Sequence, residues 1–501
     1  MSPPRRVAFV TAERVPLAKV GGLGDVAAAL TDVLAERGHE VSCFLPDYRG
    51  IVLPPGARLL PALDPFPVPM GAREEPAAVH KLALPGSRVT LYLVDHRGPG
   101  AFFQRDGIYG DPVTGEDYPD NAERFLFFCR AVCEAMKRLG RRPDVVHLND
   151  NQTAFVAAYL KLAYSDDPFF HRSAIVFTLH NVGYQGVYQA ATLALAGLPG
   201  ARVSTGSPFE FYGKLNFLKV GLEFSDLLIT VSPRYAIEIQ SGPELGHGLE
   251  GIFRTRAADL VGILNGIDTR VWNPETDPLI EAPYSAHDLS GKTRCRAALE
   301  REAGWSPDPA RPIVGVVSRL AGQKGFDLLE AAETELAALE MRLFVLGSGA
   351  RRYHDLFQRW ARTRPQSVHA VLGFDEPLSH RIEAGADLFL MPSRYEPCGL
   401  SQMMSQRYGT IPVVRATGGL ADTVKNFDPA TGEGTGFAFE PYTPAALVDG
   451  LKRALAAYRE PAVWRRIQAR AMAQDFSWEA SARKYEEAYA EALERVEMGR
   501  P

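Results

Sequence analysis

The stretch that decides the fold covers positions 6–34 and reads RVAFVTAERVPLAKVGGLGDVAAALTDVL. Positions 6–11 have the length and the β-branched content of a buried strand. Positions 19–26 are a glycine-rich turn, and the alanine- and leucine-rich positions 27–34 predict a helix. A strand, a glycine-rich turn and a helix in this order form the first unit of a doubly wound α/β sheet.

The glycine-rich turn is also the first candidate binding element. Gly21 and Gly22 let the backbone approach a ligand closely, and the N-terminus of the helix offers free N–H groups and a partial positive charge. Lys19 and Asp25 flank the turn with opposite charges, so that an anionic group and a hydroxyl-rich group could be held side by side. The same turn fits a tight connection for helix packing about equally well, so the motif alone does not decide between the two.

Composition and charge narrow the class of protein. The chain has 501 residues, of which 46% are hydrophobic and 23% charged, so we expect two or three globular domains of roughly 150–200 residues each. A net charge of -5 argues against a general nucleic-acid or anionic-membrane surface. No apolar stretch approaches the ~18–20 residues of a membrane span, and positions 1–7 lack the apolar region of a signal peptide. We expect a cytoplasmic protein with no nucleic-acid or membrane partner.

The cysteines point to a reducing compartment. They are Cys43, Cys129, Cys133, Cys295 and Cys398. An odd number with no Cys-x-x-Cys pair predicts reduced thiols rather than a disulfide framework or a structural zinc site. The pair at 129 and 133 lies four positions apart in an apolar helical pattern, so we interpret it as core.

Apolar, β-branched runs alternate with helical patterns in both halves of the chain. In the first half they lie at 6–11, 40–45, 89–94, 144–148, 174–178, 227–230 and 260–264. In the second half they lie at 312–318, 341–346, 368–372, 388–391 and 411–414. This alternation predicts parallel strands joined by helices.

Two Rossmann-like, doubly wound domains follow from this pattern. We expect an N-terminal domain over 1–264, a C-terminal domain over 265–475, and a last helix over 476–501 that returns to the N-terminal domain. Positions 265–268, Asn-Gly-Ile-Asp, have turn chemistry and predict a hinge. The carboxyl ends of the two sheets would then face each other across a deep ligand cleft.

Three strand ends in the second half carry charged or glycine-rich motifs. Arg319 and Lys324 follow the first strand there, and such a pair can neutralise a pyrophosphate, although a single cation at a strand end is more often a solvated surface charge. Glu396 lies in the motif PSRYEPCGL at 392–400, between a strand and a helix. The glycines of RATGGLAD at 415–422 repeat the anion-receptive geometry of the opening turn.

Taken together, these motifs resemble those of the bacterial glycogen synthases, the ADP-glucose-dependent α-1,4-glucan transferase family shared with plant starch synthases. The matching segments keep the family's order at 19–26, 180–186, 216–219, 231–233, 265–268, 318–325, 394–400 and 417–423. The resemblance implies a GT-B fold of two Rossmann-like domains. It also implies transfer of glucose from ADP-glucose to the non-reducing 4-hydroxyl end of an α-1,4-glucan, glycogen or a maltooligosaccharide, with retention of the anomeric configuration.

The resemblance further implies site residues in the first half of the chain. Lys19, Gly21 and Gly22 would line the diphosphate and the sugar. Asp25 and His180 would lie against the glucose and belong to the catalytic group.

In the second half, the resemblance adds Arg319 and Lys324 on the phosphates and Glu396 as the essential acidic residue near the sugar. Asn265 would contact the glucose from the linker. The other implied substrate-binding residues are Phe374, Tyr395, Cys398, Gly399, Leu400, Thr417, Gly418 and Gly419.

Three positions depart from the family pattern. Phe374 stands where a tyrosine commonly stacks on adenine, and because stacking needs only the ring face, the departure removes a hydrogen bond rather than nucleotide binding. Asn151 replaces a tryptophan, which predicts altered acceptor contacts. Met404 stands where the wider retaining transferases have a second glutamate, eight positions after Glu396, and so favours the bacterial type.

The residues also suggest how ADP leaves. The sequence contains no Asp-x-Asp, whereas Lys19, Arg319 and Lys324 are available to meet the developing negative charge, so we expect no obligate metal and no cofactor. Retention through a carboxylate nucleophile is possible in principle, but Asp25 and Glu396 are as easily hydroxyl binders. A front-face route, in which the departing phosphate helps to deprotonate the acceptor, is the more economical hypothesis, and both routes stay open.

Other functions are compatible with parts of the pattern. A sister glycosyltransferase that uses UDP-glucose or a different acceptor would tolerate the same motifs. A nucleotide-sugar-binding protein without catalysis would have lost the cations or Glu396, which are present. A nicotinamide dehydrogenase needs the third glycine of Gly-x-Gly-x-x-Gly, which is missing after Gly24.

Overall fold

The computed structural model describes residues 3–499 and divides into two compact units. The first unit comprises residues 3–231, 236–263 and 481–499, and the second comprises residues 232–235 and 264–480. Each unit is built around its own sheet of mainly parallel strands, which is the α/β fold class predicted from the sequence.

The strands of the first unit are β1 (Arg6–Val10), β2 (Glu40–Pro46), β3 (Arg58–Met70), β4 (Arg73–Ala83), β5 (Thr90–His96), β6 (Val145–Asn149), β7 (Ala174–Leu179), β8 (Val187–Tyr188), β9 (Glu210–Phe211), β10 (Lys214–Asn216), β11 (Leu227–Thr230) and β12 (Leu260–Gly262). Nine of them form one sheet in the order β12-β11-β7-β6-β1-β2-β5-β4-β3. The short strands β8, β10 and β9 form a separate antiparallel sheet.

The second unit contains β13 (Ile313–Val317), β14 (Arg342–Gly347), β15 (Val368–Leu372), β16 (Leu388–Met391), β17 (Ile411–Arg415) and β18 (Phe437–Phe439). They form a six-stranded parallel sheet in the order β15-β14-β13-β16-β17-β18. The strands β6, β7 and β11 in the first sheet and β14 in the second are buried at every position, as expected for parallel strands covered on both faces.

The helices within residues 3–499 are α1 (Gly22–Glu36), α2 (Asn121–Arg138), α3 (Phe155–Ala158), α4 (Phe217–Phe224), α5 (Pro233–Glu238), α6 (Pro243–Gly246), α7 (Glu250–Thr255), α8 (Ser290–Glu302), α9 (Phe326–Ala331), α10 (Glu333–Ala337), α11 (Arg351–Thr363), α12 (Glu376–Gly385), α13 (Ser401–Arg407), α14 (Gly418–Thr423), α15 (Pro444–Tyr458), α16 (Pro461–Met472) and α17 (Trp478–Glu497).

The strands predicted from the sequence are confirmed, with ends shifted by a few residues, and each has a parallel neighbour, but the prediction lacks β3 and β4 at one edge of the first sheet. There β3 and β4 form an antiparallel hairpin, and β4 pairs antiparallel with β5. Four prolines in β3 hide its strand pattern. Proline cannot donate to a neighbouring strand, so these residues are tolerated because β3 is the edge strand.

The first helix also starts earlier than predicted. It begins at Gly22 rather than at position 27, so the second half of the glycine-rich turn forms its first turn. Leu23 is buried and continues the apolar face of Val26 and Leu30, which explains the extension. The low helix propensity of glycine obscures this start in the sequence.

The last helix is fixed by buried polar contacts. From residue 481 onward, α17 belongs to the first unit. Glu486 pairs with Arg37 at 2.6 Å and with His39 at 3.1 Å, and mainly the Arg37 guanidinium lowers the pKa of Glu486 to about 2. The Tyr489 hydroxyl lies 2.7 Å from Nδ1 of the buried His147.

Candidate functional site

Strand order indicates where each sheet binds ligands. The chain runs from β1 to β2, on to β3 and β4 at the edge, back to β5 and then to the other side of β1 at β6. In the second sheet it runs from β13 through β14 to β15 and then to the other side of β13 at β16. Loops that follow the strands at such a switch point form the ligand crevice of doubly wound sheets. Most of the candidate residues follow β1 and β7 in the first unit and β13, β16 and β17 in the second, while Asn265 follows β12 and Phe374 follows β15. Each unit therefore carries its own cluster.

The glycine-rich loop between β1 and α1 presents an open backbone. Gly21 and Gly22 are exposed, and a Cβ on either would meet no atom within 4 Å in residues 3–499 other than those of its own chain neighbours and helix backbone. The Lys19 ammonium lies 2.8 Å from the Asp25 carboxylate, and both side chains are part-exposed. The two charges that flank the loop are thus brought together as one ion pair that a ligand can reach.

A residue that sequence reasoning missed holds this loop. The buried Glu13 carboxylate accepts the N–H groups of Val20 at 2.6 Å and Gly21 at 2.9 Å through Oε2. Its other oxygen accepts the Tyr109 hydroxyl at 2.6 Å. Glu13 lies three residues after β1, so its position at a strand end is the only signal that the sequence offers.

His180 follows β7 and contacts two residues at the end of β6. Its Nε2 lies 3.0 Å from Asn149 Oδ1, and its backbone N–H donates to Asp150 Oδ1 at 2.7 Å. Burial lowers the pKa of His180 to about 4, so the ring is neutral at pH 7. Because Asn149 Oδ1 can only accept, Nε2 carries the proton and Nδ1 is left as an acceptor.

Asp150 is a second functional candidate that the sequence analysis does not identify. Its φ of 57° lies in the left-handed region that strains residues other than glycine. Burial, with a smaller contribution from the Glu13 charge, raises the pKa of Asp150 to about 7. A strained carboxyl that titrates near neutrality at a strand end is typical of functional sites.

The centre of the second cluster is an ion pair between two predicted site residues. Lys324 Nζ lies 2.6 Å from Glu396 Oε2, and the Ser393 hydroxyl donates to the same oxygen at 3.0 Å. The Glu396 side chain is 7% exposed and that of Lys324 is 21% exposed. The strand ends of β13 and β16 thus place a fixed cation and a fixed carboxylate in direct contact.

Gln323 joins the loops that carry this pair. Its side-chain amide donates to the Tyr395 backbone carbonyl at 3.2 Å, and the backbone carbonyl of Gln323 accepts the Arg394 backbone N–H at 2.8 Å. The predicted phosphate ligand Arg319 is exposed, and its guanidinium lies 3.4 Å from Gln323 Oε1. The loop after β13 is therefore tied to the loop after β16.

The loop after β17 packs directly on the Glu396 loop. A Cβ on Gly418 would lie 2.0 Å from the Glu396 carbonyl, and one on Gly419 would lie 2.0 Å from the Cys398 carbonyl. The Gly419 N–H donates to the Glu396 carbonyl at 3.1 Å, and Thr417 is buried. These two glycines therefore serve close backbone packing, and the Gly419 N–H that the sequence suggested for an anion is already used.

Asn265 and Cys398 form a buried contact. The Asn265 backbone hydrogen-bonds the Cys398 thiol, and burial raises the pKa of that thiol to about 12, which makes it a poor nucleophile. Asn265 Oδ1 is buried without a hydrogen-bond partner among residues 3–499. Gly399 has a φ of 70°, and Leu400 is the last residue before α13. The unpartnered amide oxygen can accept a ligand hydroxyl.

Phe374 stands apart from the ion pair, in the loop between β15 and α12. Its side chain is 86% exposed. The next residue, Asp375, accepts the Leu378 N–H at 2.8 Å and caps α12, which holds the loop in place. An exposed ring on a fixed loop can stack on a planar group.

The other two positions that depart from the family pattern are Asn151 and Met404. Asn151 is buried and donates to the Tyr184 carbonyl at 3.1 Å, so it braces the loop that follows His180. Met404 lies half-buried on α13. Altered acceptor contacts at Asn151 stay a prediction.

The following features concern metal ligands, cysteines and membrane-spanning helices. Across residues 3–499, no three His, Cys, Asp or Glu side chains are grouped so that they could hold a metal ion. All five cysteines are free and buried, and the burial of Cys129 and Cys133 agrees with their interpretation as core. In the same described part of the chain, no helix is both long and apolar enough to cross a membrane.

Two doubly wound units, each with charged side chains at the carboxyl ends of its strands, are the architecture of the GT-B class of glycosyltransferases. Comparison with known proteins is specific at the level of family. The starch synthase catalytic domain matches residues 6–255, and the glycosyl transferases group 1 domain matches residues 300–470. The chain belongs to the glycogen synthase and starch synthase family.

Similarity to individual relatives covers nearly the whole chain. A glycogen synthase of Anaeromyxobacter sp. (strain Fw109-5) is 48% identical over 486 residues, which are 96% of this chain and 98% of that protein. A glycogen synthase of Thermotoga maritima is 44% identical, with 98% and 99% covered. The solved catalytic domain of starch synthase IV from Arabidopsis thaliana, bound to ADP and acarbose, is 34% identical, with a TM-score of 0.87 over 98% of this chain and 100% of that chain.

Proposed function

We propose that the protein transfers the glucosyl group of ADP-glucose to the non-reducing 4-hydroxyl of an α-1,4-glucan, with retention and with neither an obligate metal nor a cofactor. Glycosyl transfer in glycogen synthesis is the activity of the family. The solved starch synthase relative holds ADP and acarbose, an adenine nucleotide and an oligosaccharide analogue, which supports both substrate classes.

The observation that carries the proposal is the contact between Lys324 and Glu396 at the switch point of the second sheet. When the bond between the anomeric carbon and the phosphate oxygen breaks, the electron pair leaves with ADP, and negative charge grows on the phosphate. The fixed Lys324 ammonium, with Arg319 from the same loop, stabilises that charge without reorganisation. The buried Glu396 carboxylate orients a glucose hydroxyl or stabilises positive charge at the sugar.

The other residues have roles that follow from their contacts. Phe374 offers an exposed ring for the adenine, and Asn265 offers its unpartnered Oδ1 to a sugar hydroxyl. The neutral His180 offers Nδ1 as an acceptor, and Asp25 with Lys19 offers an exposed ion pair. In the front-face route, the acceptor oxygen bonds to the anomeric carbon on the side from which ADP departs, and its proton passes to the phosphate.

The test is a direct assay of both donors. The protein is incubated with ADP-glucose or UDP-glucose and a short maltooligosaccharide, with and without a strong chelator, and the released nucleotide and the extended glucan are measured. We expect chelator-resistant release of ADP matched by chain extension. Preference for UDP-glucose would reassign the donor, chelator sensitivity would point to a metal-assisted step, and binding without release would indicate a protein without catalysis.

A further inference from the structure

A second polar cluster lies at the edge of the second sheet that carries the Lys324 and Glu396 ion pair. Its members come from the segments that follow β13, β16, β17 and β18, and they are Asp327, Arg394, Arg415 and Tyr442. None of the four has a role in the function proposed above. Because they come from four separate segments, the contacts among them join four strand ends.

Tyr442 is the half-buried centre of this cluster. Its hydroxyl donates to Asp327 Oδ1 at 2.5 Å. Cζ of Arg394 lies 4.4 Å from the centre of the Tyr442 ring, and Cζ of Arg415 lies 5.4 Å from it, so both cations are attracted to the ring face. Burial, with a smaller contribution from the Asp327 hydrogen bond, raises the pKa of Tyr442, so the hydroxyl stays protonated and donates.

Arg394 is fixed through both its side chain and its backbone. Its Nη2 donates to Asp327 Oδ2 at 3.2 Å, and its backbone N–H donates to the Gln323 carbonyl at 2.8 Å. The Arg394 carbonyl accepts a hydrogen bond from Arg415 Nη1. Since Arg394 lies two positions before Glu396, these contacts determine where the loop that bears the carboxylate begins.

The segment after β13 carries the other member of the ion pair and packs on the same loop. A Cβ on Gly325 would lie 2.0 Å from a backbone carbonyl oxygen of that loop. Asp327 lies in the first turn of α9, three positions after Lys324. The contact of Asp327 with Arg394 and the contact of Lys324 with Glu396 therefore join the same two segments. Release of the first contact would let the second change its geometry.

From this geometry we propose that Tyr442 and Asp327 are positioning residues, which act by holding the Arg394 side chain. The loop that is held in this way keeps the Glu396 carboxylate in contact with Lys324. The proposal rests on the proposed function for the reaction that this contact serves. Misplacement of reacting groups by about 1 Å can lower turnover by about 10²-fold, so a small movement of the ion pair has a measurable effect.

The first experiment removes one hydroxyl from the cluster. Tyr442→Phe keeps the ring on which Arg394 stacks, but it takes the hydroxyl donor away from Asp327 Oδ1. Fixed charges matter more to the transition state than to ground-state binding. We therefore expect kcat to fall by about tenfold and the KM for ADP-glucose to stay within about twofold of the original. An unchanged kcat would overturn the positioning role.

The same substitution in the Glu396→Gln background separates positioning from folding. A residue that acts through the Glu396 carboxylate has no target once that carboxylate is lost. Tyr442→Phe should then lower the remaining kcat by less than about twofold. A loss of folded protein would lower kcat by the same factor in both backgrounds, and that outcome would refute the proposal.

The second experiment keeps the charge of residue 394 and removes its planar group. Arg394→Lys retains a cation but loses the guanidinium that lies on the Tyr442 ring and reaches Asp327. The proposed role predicts a fall in kcat similar to that of Tyr442→Phe. Full activity of Arg394→Lys would show that only the charge matters and would contradict the role in positioning.

Tyr458→Phe is the matched control. The Tyr458 hydroxyl is also half-buried, but it lies outside the cluster and donates to the Pro309 carbonyl at 3.1 Å. We expect its kcat and KM to equal those of the original chain. A fall in kcat equal to that of Tyr442→Phe would overturn the specific role of Tyr442.

A measurement without substrate tests the same coupling independently of the reaction. The denaturant midpoint is determined for the original chain, Tyr442→Phe, Lys324→Ala and the double variant. If the cluster fixes the ion pair, the shift caused by Tyr442→Phe should be at least about twofold smaller once Lys324 is absent. Equal shifts in both backgrounds would overturn the proposal. Absence of glucosyl transfer by the original chain would defeat the proposed function, whereas the midpoints would still decide whether the cluster holds the ion pair.

Discussion

The ion pair between Lys324 and Glu396 should separate catalysis from stability when it is broken from either side. In Lys324→Ala, the Glu396 carboxylate, 7% exposed, keeps the Ser393 hydroxyl as its one side-chain donor within residues 3–499. Removing one partner of a fully buried pair costs about 3–5 kcal/mol, but Lys324 is 21% exposed, and water can reach the gap. We therefore expect the free energy of unfolding to fall by about 2 kcal/mol.

Glu396→Gln should behave differently. The amide keeps the size of the side chain and a hydrogen bond to Ser393, and the part-exposed Lys324 ammonium stays hydrated. We expect a loss of about 1 kcal/mol in stability and a near-native affinity for ADP. In the proposed mechanism the carboxylate acts on charge that develops in the transition state, so turnover should fall by about 10²–10³.

The measurements are denaturant unfolding, which gives the free energy of unfolding, and steady-state kinetics, which gives the turnover. Both are made on the two single variants and on the double variant. The two effects on stability should be coupled by about 1–3 kcal/mol, since each variant already loses the shared contact. Glu340→Gln is the control: it breaks a surface pair with Arg459 whose side chains are 75% and 58% exposed. It should change stability by at most about 1 kcal/mol and leave turnover intact. A folded Glu396→Gln protein with nearly full turnover would remove Glu396 from the catalytic group.

Three further predictions concern other parts of the chain. Phe374→Ala should weaken ADP binding by about tenfold without changing thermal stability, because stacking on a base contributes about 1–3 kcal/mol and the ring is 86% exposed; unchanged affinity in calorimetry would contradict base stacking. Gly22→Ala should keep or raise the melting temperature, because alanine favours a helix more than glycine does, and should raise the KM for the sugar substrates. Gly418→Ala should unfold the Glu396 loop, because its Cβ would lie 2.0 Å from the Glu396 carbonyl oxygen. The pKa of Glu486 is lowered from 4.5 to about 2, so its ion pairs contribute at most about 3 kcal/mol to the free energy of unfolding. This contribution is complete above pH 4.5 and is lost as the pH falls toward 2. Glu486→Gln should remove this pH dependence of stability from acid-unfolding curves.

Regular patterns explain why the sheets could be predicted. The parallel strands are continuous apolar runs, and their order along the chain determines which strand ends carry Lys324 and Glu396. The hairpin of β3 and β4 is not predicted, because prolines in an edge strand break the alternation of apolar and polar residues on which the prediction of strands depends. The early start of α1 is not predicted, because glycines interrupt the helical pattern although the apolar face continues through Leu23.

The contacts between site residues are harder to read from a sequence. The sequence predicts all four of these residues near a ligand, but only the structure shows that Lys19 contacts Asp25 and that Lys324 contacts Glu396. Glu13 is a single acidic residue after a strand, and no spacing rule connects it to Tyr109, which is 96 positions away. Such a pairing depends on the path of the long segment before α2, which has no periodic pattern.

The central claim is retaining transfer of glucose from ADP-glucose to a glucan, and the most direct measurement of it is the stereochemistry of the first product. Proton NMR of the protein with ADP-glucose and a short maltooligosaccharide resolves the anomeric signal of each newly added residue as ADP appears. We predict one new α-1,4-linked glucosyl residue for each ADP released. A β-linked product, or release of ADP with free glucose and no longer glucan, would contradict the account.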